Sequence, residues 1–128
     1  MSVAQPKIFW TKVPTLQFNT NLLNESFIKG RRITIEATSG SSQDIYTINF
    51  DATLIKLGVH MSAYTDVDWW NLSGSNWILC ETIYTKTVPE SFVLETGKTV
   101  SSGSDVIFDF YNSSATGKIV WVDYYFIR

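Results

Sequence analysis

The C-terminal segment, residues 118–128, constrains the fold more than any other part of the chain. It reads Lys-Ile-Val-Trp-Val-Asp-Tyr-Tyr-Phe-Ile-Arg, and nearly every position is apolar or aromatic, a composition typical of a β-strand. An exposed edge strand of this kind would pair with other chains and aggregate. We therefore expect residues 118–128 to form an interior strand of an all-β domain.

Short runs with a period of two follow one another from Arg31 onward, separated by segments rich in Gly, Ser, Asn and Pro. In the longest run, Ile55, Leu57 and Val59 are expected to point inward, with a bend at Gly58. The last two strands are expected to form a hairpin. The predicted strands are residues 31–37, 45–50, 52–64, 67–72, 77–85, 91–95, 105–111 and 118–128.

About eight strands with hardly any helical period allow a jelly roll, an immunoglobulin-like sandwich or an up-and-down barrel. The immunoglobulin-like sandwich lacks its pair of cysteines, because Cys80 is the only cysteine and is expected to be a buried thiol. A barrel would require the irregular N-terminal residues to supply a strand. We predict an all-β protein with an antiparallel two-sheet β-sandwich of jelly-roll type, and a length of 128 residues suits one such domain.

Residues 1–30 differ from the rest, because Pro6 and Pro14 interrupt them and their apolar residues follow no period. We predict an extended N-terminal arm over residues 1–30 and a β-sandwich domain over residues 31–128. Such an arm binds either a partner chain or its own domain, and aromatic anchors concentrate the energy of such contacts. The candidate anchors are Phe9, Trp10, Leu16 and Phe18.

Charge and composition exclude several functional classes. The net charge is −2, and no Lys/Arg cluster interleaves with aromatic residues, so we expect no nucleic-acid binding. No run of about 18 apolar residues suggests a membrane-spanning segment, and the N-terminus shows no secretory signal pattern. With His60 and Cys80 each the single residue of its type, we expect a non-enzymatic protein without cofactor or metal.

The densest cluster of polar and aromatic residues is the segment Asp-Val-Asp-Trp-Trp-Asn-Leu at residues 66–72. On a strand, Asp66, Asp68 and Trp70 are expected to project to one side, and Val67, Trp69 and Asn71 to the other. A carboxylate beside an indole face is suited to sugar binding, because the ring stacks on a pyranose and the carboxylate accepts its hydroxyl protons. The same carboxylates could contribute to a calcium site, or the tryptophans could simply fill the core and cover a sheet face. The candidate sugar-binding residues are Asp66, Asp68, Trp69, Trp70 and Trp77.

A glycoside hydrolase needs two carboxyl groups roughly 5 to 9 Å apart across a cleft. If the last two strands form a hairpin, Asp109 and Asp123 lie on adjacent strands. Each is otherwise surrounded by apolar and aromatic positions, so structural pairing is the favoured explanation for both. Hydrolysis is the least favoured of the functions considered.

Four segments, residues 66–72, 83–91, 107–114 and 118–128, together resemble small virion proteins of tailed bacteriophages. The resemblance implies a β-sandwich module in a capsid, neck, tail or baseplate, made in the host cytoplasm and localised to the virion. Its partners would be copies of itself and other virion proteins, and some relatives attach to host-surface glycans. The alternative function is a stand-alone carbohydrate-binding module. No catalytic or ligand-binding residue is transferred by the resemblance.

Overall fold

The computed structural model describes residues 25–128, which form eight β-strands and no helix. Accordingly, none of the described residues belongs to a helix that could cross a lipid bilayer. The strands are β1 (Ser26–Ile35), β2 (Gly40–Thr47), β3 (Ala52–Met61), β4 (Trp69–Gly74), β5 (Trp77–Tyr84), β6 (Glu90–Val100), β7 (Asp105–Asn112) and β8 (Lys118–Ile127).

The strands form two antiparallel four-stranded sheets that pack face to face. Sheet I has the order β1-β8-β3-β6, and sheet II has the order β2-β7-β4-β5. The chain changes sheet at every connection except the one between β4 and β5, which is the strand order of a jelly roll. The predicted fold class is confirmed. The predicted hairpin between the last two strands is wrong, because β7 and β8 lie in different sheets.

The C-terminal strand β8 is an interior strand of sheet I, paired with β1 on one side and β3 on the other. Its alternate residues Val120, Val122, Tyr124 and Phe126 are buried in the core. From sheet II, β7 contributes Val106, Phe108 and Phe110 to the same core. Burial of one such side chain stabilises the fold by about 1.5–3 kcal/mol, so this strand pair supplies much of the cohesion between the sheets.

A β-bulge at Ile55 exchanges the inward and outward sides predicted for the part of β3 before the bulge, whereas Leu57 and Val59 point inward as predicted. The register toward both neighbouring strands shifts between Leu54 and Lys56. As a result Leu54 and Leu57 are both buried, whereas Ile55 was expected to point inward and Leu54 outward. Gly58, where a bend was predicted, is in regular register with both neighbouring strands. A single extra residue in a strand cannot be read from a period-two pattern.

The first strand begins earlier than the sequence indicated. Ser26 pairs with Ile127, and pairing continues without interruption to Ile35 and Lys118. Residues 26–30 therefore belong to the sandwich, and the predicted boundary after residue 30 is wrong in this respect. Lys29 and Arg31 interrupt the apolar alternation of β1, which explains why the first half of the strand was missed. The predicted anchors Phe9, Trp10, Leu16 and Phe18 lie outside the described residues.

Candidate ligand-binding face

Three aromatic residues form a row across the outer face of sheet II, at the end where β4 begins. Trp69 of β4 is in register with Tyr111 of β7 on one side and with Tyr84 of β5 on the other. The rings of Trp69 and Tyr111 are stacked, with centroids 5.2 Å apart and planes at 15°. Tyr84, on the edge strand, is 51% exposed. We call these three residues the aromatic row.

A row of polar side chains runs beside the aromatic row. It lies two residues away along β4 and β7, and it extends onto β2. Asp109 of β7 lies between Gln43 of β2 and Asn71 of β4. The Gln43 amide donates a 2.8 Å hydrogen bond to Oδ1 of Asp109. The Oδ1 atom of Asn71 accepts a 2.6 Å hydrogen bond from the backbone N–H of Thr82. We call Gln43, Asp109 and Asn71 the polar row.

The geometry of the stack determines which aromatic surface a ligand can reach. Because Tyr111 covers one face of the Trp69 indole, the other face is directed toward β5 and Tyr84. Among the described residues, no aromatic contact joins Trp69 to Tyr84. The face is open, since residues 25–128 contain no pocket. The arrangement suits a ligand that lies on a surface, stacks against an indole, donates hydrogen bonds to a carboxylate and accepts them from an amide.

The charged residues within the strands of this face are all acidic, and the Lys86 ammonium, from just beyond β5, lies 3.4 Å from the Tyr84 carbonyl oxygen and pairs with Glu90 at 3.3 Å. The four strands of sheet II contain no Lys, Arg or His. Asp105 and Asp109 alternate with Ile107 and Tyr111 along the outer side of β7, and the hydroxyl of Thr47 donates a 2.6 Å hydrogen bond to Asp105. Because the donors to both carboxylates are neutral groups, their negative charges are not compensated.

The groups with clearly shifted pKa values lie away from both rows. At the edge where β1 meets β2, a hydrogen bond to Asp44 raises the pKa of Arg31, and burial raises the pKa of Tyr46. Burial raises the pKa of Tyr124 well above its ordinary value, with a further contribution from the Asp44 charge. Cys80 is half-buried against the core rather than fully buried, and desolvation raises the pKa of its thiol.

Of the five predicted sugar-binding residues, the structure places only Trp69 in the aromatic row. Trp70 points to the opposite side of β4 and is 1% exposed. Its indole packs on Phe108 at 5.2 Å and on the edge of Phe92 at 5.3 Å. Trp70 is therefore a core residue. Asp66 is exposed in the loop that precedes β4.

Asp68 is a structural residue in the interior of one end of the sandwich. It pairs with Lys118, and both side chains are 0% exposed. Its Oδ1 atom accepts hydrogen bonds from the backbone N–H of Ser113 at 2.8 Å and from the Ser113 hydroxyl at 2.7 Å. No lone pair of this carboxylate is directed at solvent, so its assignment to a sugar site was wrong. The strand period alone placed it on the side of Trp70, and that part of the prediction is correct.

Trp77 begins β5 at the opposite end of sheet II from the aromatic row, in register with Gly74. Its ring is half-buried against the core, and the ammonium group of Lys98 lies 5.3 Å from its centroid. The structure therefore does not bring Trp77 together with Trp69. The two side chains are not neighbours in the strand register, and they do not lie on the same face of the sheet.

The residues considered for metal or hydrolytic chemistry do not converge. Within residues 25–128, no three Asp, Glu, His or Cys side chains are grouped to hold a metal ion. Asp109 lies on the outer face of sheet II and Asp123 on the outer face of sheet I, in register with Gly30 and Gly58. The whole sandwich separates the two carboxylates, so the prediction that they are neighbours is wrong.

The sequence interpretation missed Tyr111, Tyr84 and Gln43 as members of this face. A signal was present, because Tyr111 alternates with the buried Phe108 and Phe110 and must point outward. That signal could not reveal which residues lie beside Tyr111, because the sequence pattern does not show that β7 pairs with β4 and β2. The two-residue period correctly predicted that Trp69 and Asn71 share one side of β4, but it did not indicate that this side is the outer one.

The outer face of sheet I has a different character. His60, predicted to lie on an outward face, is exposed and packs on Trp121 with ring centroids 5.4 Å apart. The ammonium of Lys56 lies 4.9 Å from the ring centroid of Tyr125. Ile28 and Val93, on the two outermost strands of this sheet, are among the most exposed aliphatic residues.

Comparison with known proteins places the chain in a family without assigning it an activity. No curated protein matches the sequence. A family model described as a domain of unknown function, DUF8551, matches residues 23–128, a range that contains all eight strands and the residues just before β1. The protein belongs to the DUF8551 family.

Proposed function

We propose that this protein is a non-catalytic carbohydrate-binding module whose site is the outer face of sheet II. The observation that carries the proposal is the aromatic row of Tyr111, Trp69 and Tyr84 beside the polar row of Gln43, Asp109 and Asn71. Each row takes one residue from each of three strands. The placement of the two rows side by side is therefore a property of the sheet rather than of one local motif.

The chemistry of a pyranose ring matches both rows. One face of the ring presents C–H groups, which stack on an indole face, and its rim presents hydroxyl groups. Trp69 offers the indole face, and its stack with Tyr111 restricts the orientation of the ring. The Asp109 carboxylate accepts hydroxyl protons, and the Asn71 amide nitrogen donates to hydroxyl oxygens. Surface contacts of this kind bind without transforming the ligand.

Binding to a glycan array, followed by affinity electrophoresis on the polysaccharides that respond, tests the proposal. We expect Trp69→Ala to abolish binding, since it removes the stacking surface. Trp121→Ala is the matched control, because Trp121 is a half-buried tryptophan on the outer face of the opposite sheet. Glycan binding that survives Trp69→Ala, or that is lost in Trp121→Ala, would contradict the assignment of the site to sheet II.

The second candidate is the virion structural role implied by the resemblance to tailed-phage proteins. The supporting observation is that Ile28 and Val93, on the two edge strands of sheet I, are 58% and 77% exposed, on the face away from the proposed glycan site. Protein contacts through sheet I and glycan contacts through sheet II are compatible, and together they describe a host-attachment component. Light scattering on the full chain tests this role, with a defined oligomer expected and a monomer at all concentrations contradicting it.

A further inference from the structure

Charge is segregated between the two sheets of the sandwich. The strands of sheet I contain the basic residues Lys29, Arg31, Arg32, Lys56, Lys98 and Lys118 against the acidic residues Glu90, Glu95 and Asp123. The strands of sheet II contain only the acidic residues Asp44, Glu81, Asp105 and Asp109. A net charge near neutrality for the whole chain conceals this asymmetry.

The acidic residues of sheet II differ in whether a basic group of the protein pairs with their negative charge. Asp44 faces sheet I and forms a bidentate pair with Arg31, with N–O distances of 2.9 and 3.0 Å. Asp105 and Asp109 instead receive hydrogen bonds from a hydroxyl and an amide, which carry no charge. The uncompensated negative charge of the sheet is therefore on the face that carries the aromatic row.

Resting on the proposed glycan-binding function, we infer that the site selects uncharged glycans and rejects those that carry carboxylate, sulfate or phosphate groups. Asp109 is in register with Asn71, two residues from Trp69 and Tyr111, which is roughly 7 Å along the strands. This separation is within the Debye length of about 8 Å at physiological ionic strength. An anionic sugar stacked on Trp69 would therefore be repelled by Asp109. The Lys86 ammonium, 3.4 Å from the Tyr84 carbonyl oxygen, is already paired with Glu90 at 3.3 Å, so its charge is compensated within the protein.

A matched pair of probes isolates the charge effect. The neutral polysaccharide that binds best is compared with the same polymer after oxidation of its primary hydroxymethyl groups to carboxylates. We expect the oxidised polymer to bind the full-length protein with a dissociation constant about tenfold or more weaker at low ionic strength. The difference should shrink as salt is added, because added ions screen the repulsion.

Two substitutions identify the source of the selectivity. Asp109→Asn keeps a group that can pair with Gln43 and removes the charge, so we expect the oxidised polymer to regain most of the lost affinity. Asp123→Asn, on the outer face of sheet I, is the control and should leave the ratio of the two affinities unchanged.

The outcomes distinguish a failure of the charge selectivity from a failure of the proposed glycan binding. Equal affinity for the neutral and oxidised polymers, with both lost in Trp69→Ala, would overturn the charge selectivity and leave the glycan-binding function standing. An unchanged affinity ratio in Asp109→Asn would also overturn the selectivity mechanism. Failure of every neutral polysaccharide to bind would overturn the proposed function itself.

Discussion

Asp68 and Lys118 form an ion pair from which solvent is excluded, and the pair joins the two sheets at one end of the sandwich. Asp68 directly precedes β4 of sheet II, and Lys118 is the first residue of β8 in sheet I. The Lys118 ammonium also donates to the Thr65 hydroxyl at 3.3 Å, and Ser113 donates twice to Asp68. Each charge is therefore both paired and hydrogen-bonded, as a buried charge must be.

Removal of one member of this pair is expected to destabilise the domain strongly. In Asp68→Ala, the Lys118 ammonium stays buried without its counter-charge, which costs about 3–5 kcal/mol in free energy of unfolding. Urea denaturation measures the loss. The control is Lys86→Ala, which breaks the exposed pair with Glu90 at 3.3 Å and should cost less than about 1 kcal/mol. Similar losses in the two variants would show that the buried pair is not a structural link.

Substitution of the two adjacent tryptophans should separate stability from binding. Trp70→Ala removes a fully buried indole and is expected to cost about 3–5 kcal/mol in free energy of unfolding. Trp69→Ala loses mainly the stack with Tyr111, worth about 0.5–1.5 kcal/mol. Denaturant unfolding of both variants checks the ranking. A larger loss in Trp69→Ala would mean that the aromatic row belongs to the core.

Tyr124→Phe is expected to stabilise the protein. The hydroxyl of Tyr124 is buried and has no hydrogen-bond partner in the described part of the chain, a loss of about 1 kcal/mol that phenylalanine avoids. Chemical denaturation at neutral pH measures the gain. Tyr125→Phe, at a partly exposed position on the outer side of β8, should have little effect.

The same substitution should also change the response to alkaline pH. Burial raises the pKa of Tyr124 above its ordinary value near 10, so the folded state keeps a proton that the unfolded state releases above that pH. This contribution to stability is fully present below pH 10 and is lost as the pH rises further. We expect a smaller loss of stability above pH 10 in Tyr124→Phe than in the unmodified protein. Identical alkaline profiles would contradict the shifted pKa.

Thr82→Gly should relieve backbone strain in β5. Thr82 has φ of 55°, a left-handed conformation that is unfavourable for a β-branched residue by roughly 1–2 kcal/mol. Glycine adopts it freely, and part of the gain is offset by its greater entropy when unfolded. We expect the melting temperature to rise. Thr34→Gly, at an exposed position of β1 with ordinary geometry, should lower it. A decrease in both variants would show that Thr82 is unstrained.

Truncation at the N-terminus should show where the domain begins. A chain that starts at Glu25 retains all of β1, including the pairing of Ser26 with Ile127, and is expected to fold. A chain that starts at Arg31 loses half of β1 and the contacts of Phe27 with Phe50 and Phe126, so we expect it to be strongly destabilised or unfolded. Circular dichroism and thermal unfolding of the two chains measure whether each one folds.

The truncated chain that starts at Glu25 also tests the partner binding considered for the predicted N-terminal arm, because it lacks residues 1–24 of that arm. If those residues bind a neighbouring copy, the shorter chain should stay folded and lose the oligomeric state of the full chain. An unchanged oligomer would assign assembly to the sandwich itself.

The sequence could predict the fold class because alternation is a local property of the strands. In β8 nearly every position is apolar or aromatic, and this composition indicated an interior strand, whereas in other strands the alternation of apolar and polar residues indicated one buried side. The same alternation correctly placed Trp69 and Asn71 on one side of β4 and Asp68 and Trp70 on the other. It failed only for the residues of β3 before Lys56, because the bulge at Ile55 inserts a residue and exchanges the two sides, while Leu57 and Val59 are buried as predicted.

The candidate site could be predicted only in part, because a sheet surface is made of residues distant in sequence. Tyr84, Trp69 and Tyr111 come from three strands, and register alone brings them into one row. The sequence grouped Trp69 with its neighbours Asp68 and Trp70, which is the wrong grouping for a pleated strand, where adjacent residues point to opposite faces. It likewise joined Asp109 with Asp123 through a hairpin that the jelly-roll topology does not contain.

The amino-acid sequence by itself determined the all-β class, the interior position of the C-terminal strand and the placement of Trp69 and Trp70 on opposite sides of β4, because these depend on composition and a two-residue period. Tertiary structure alone decided that Asp68 would be neutralised by Lys118, that Trp69 would stand between two tyrosines, and that sheet II would carry no basic residue. The physical reason is that backbone hydrogen bonds between strands far apart in the chain set the neighbours of every side chain on a sheet, and a local pattern contains no information about that pairing.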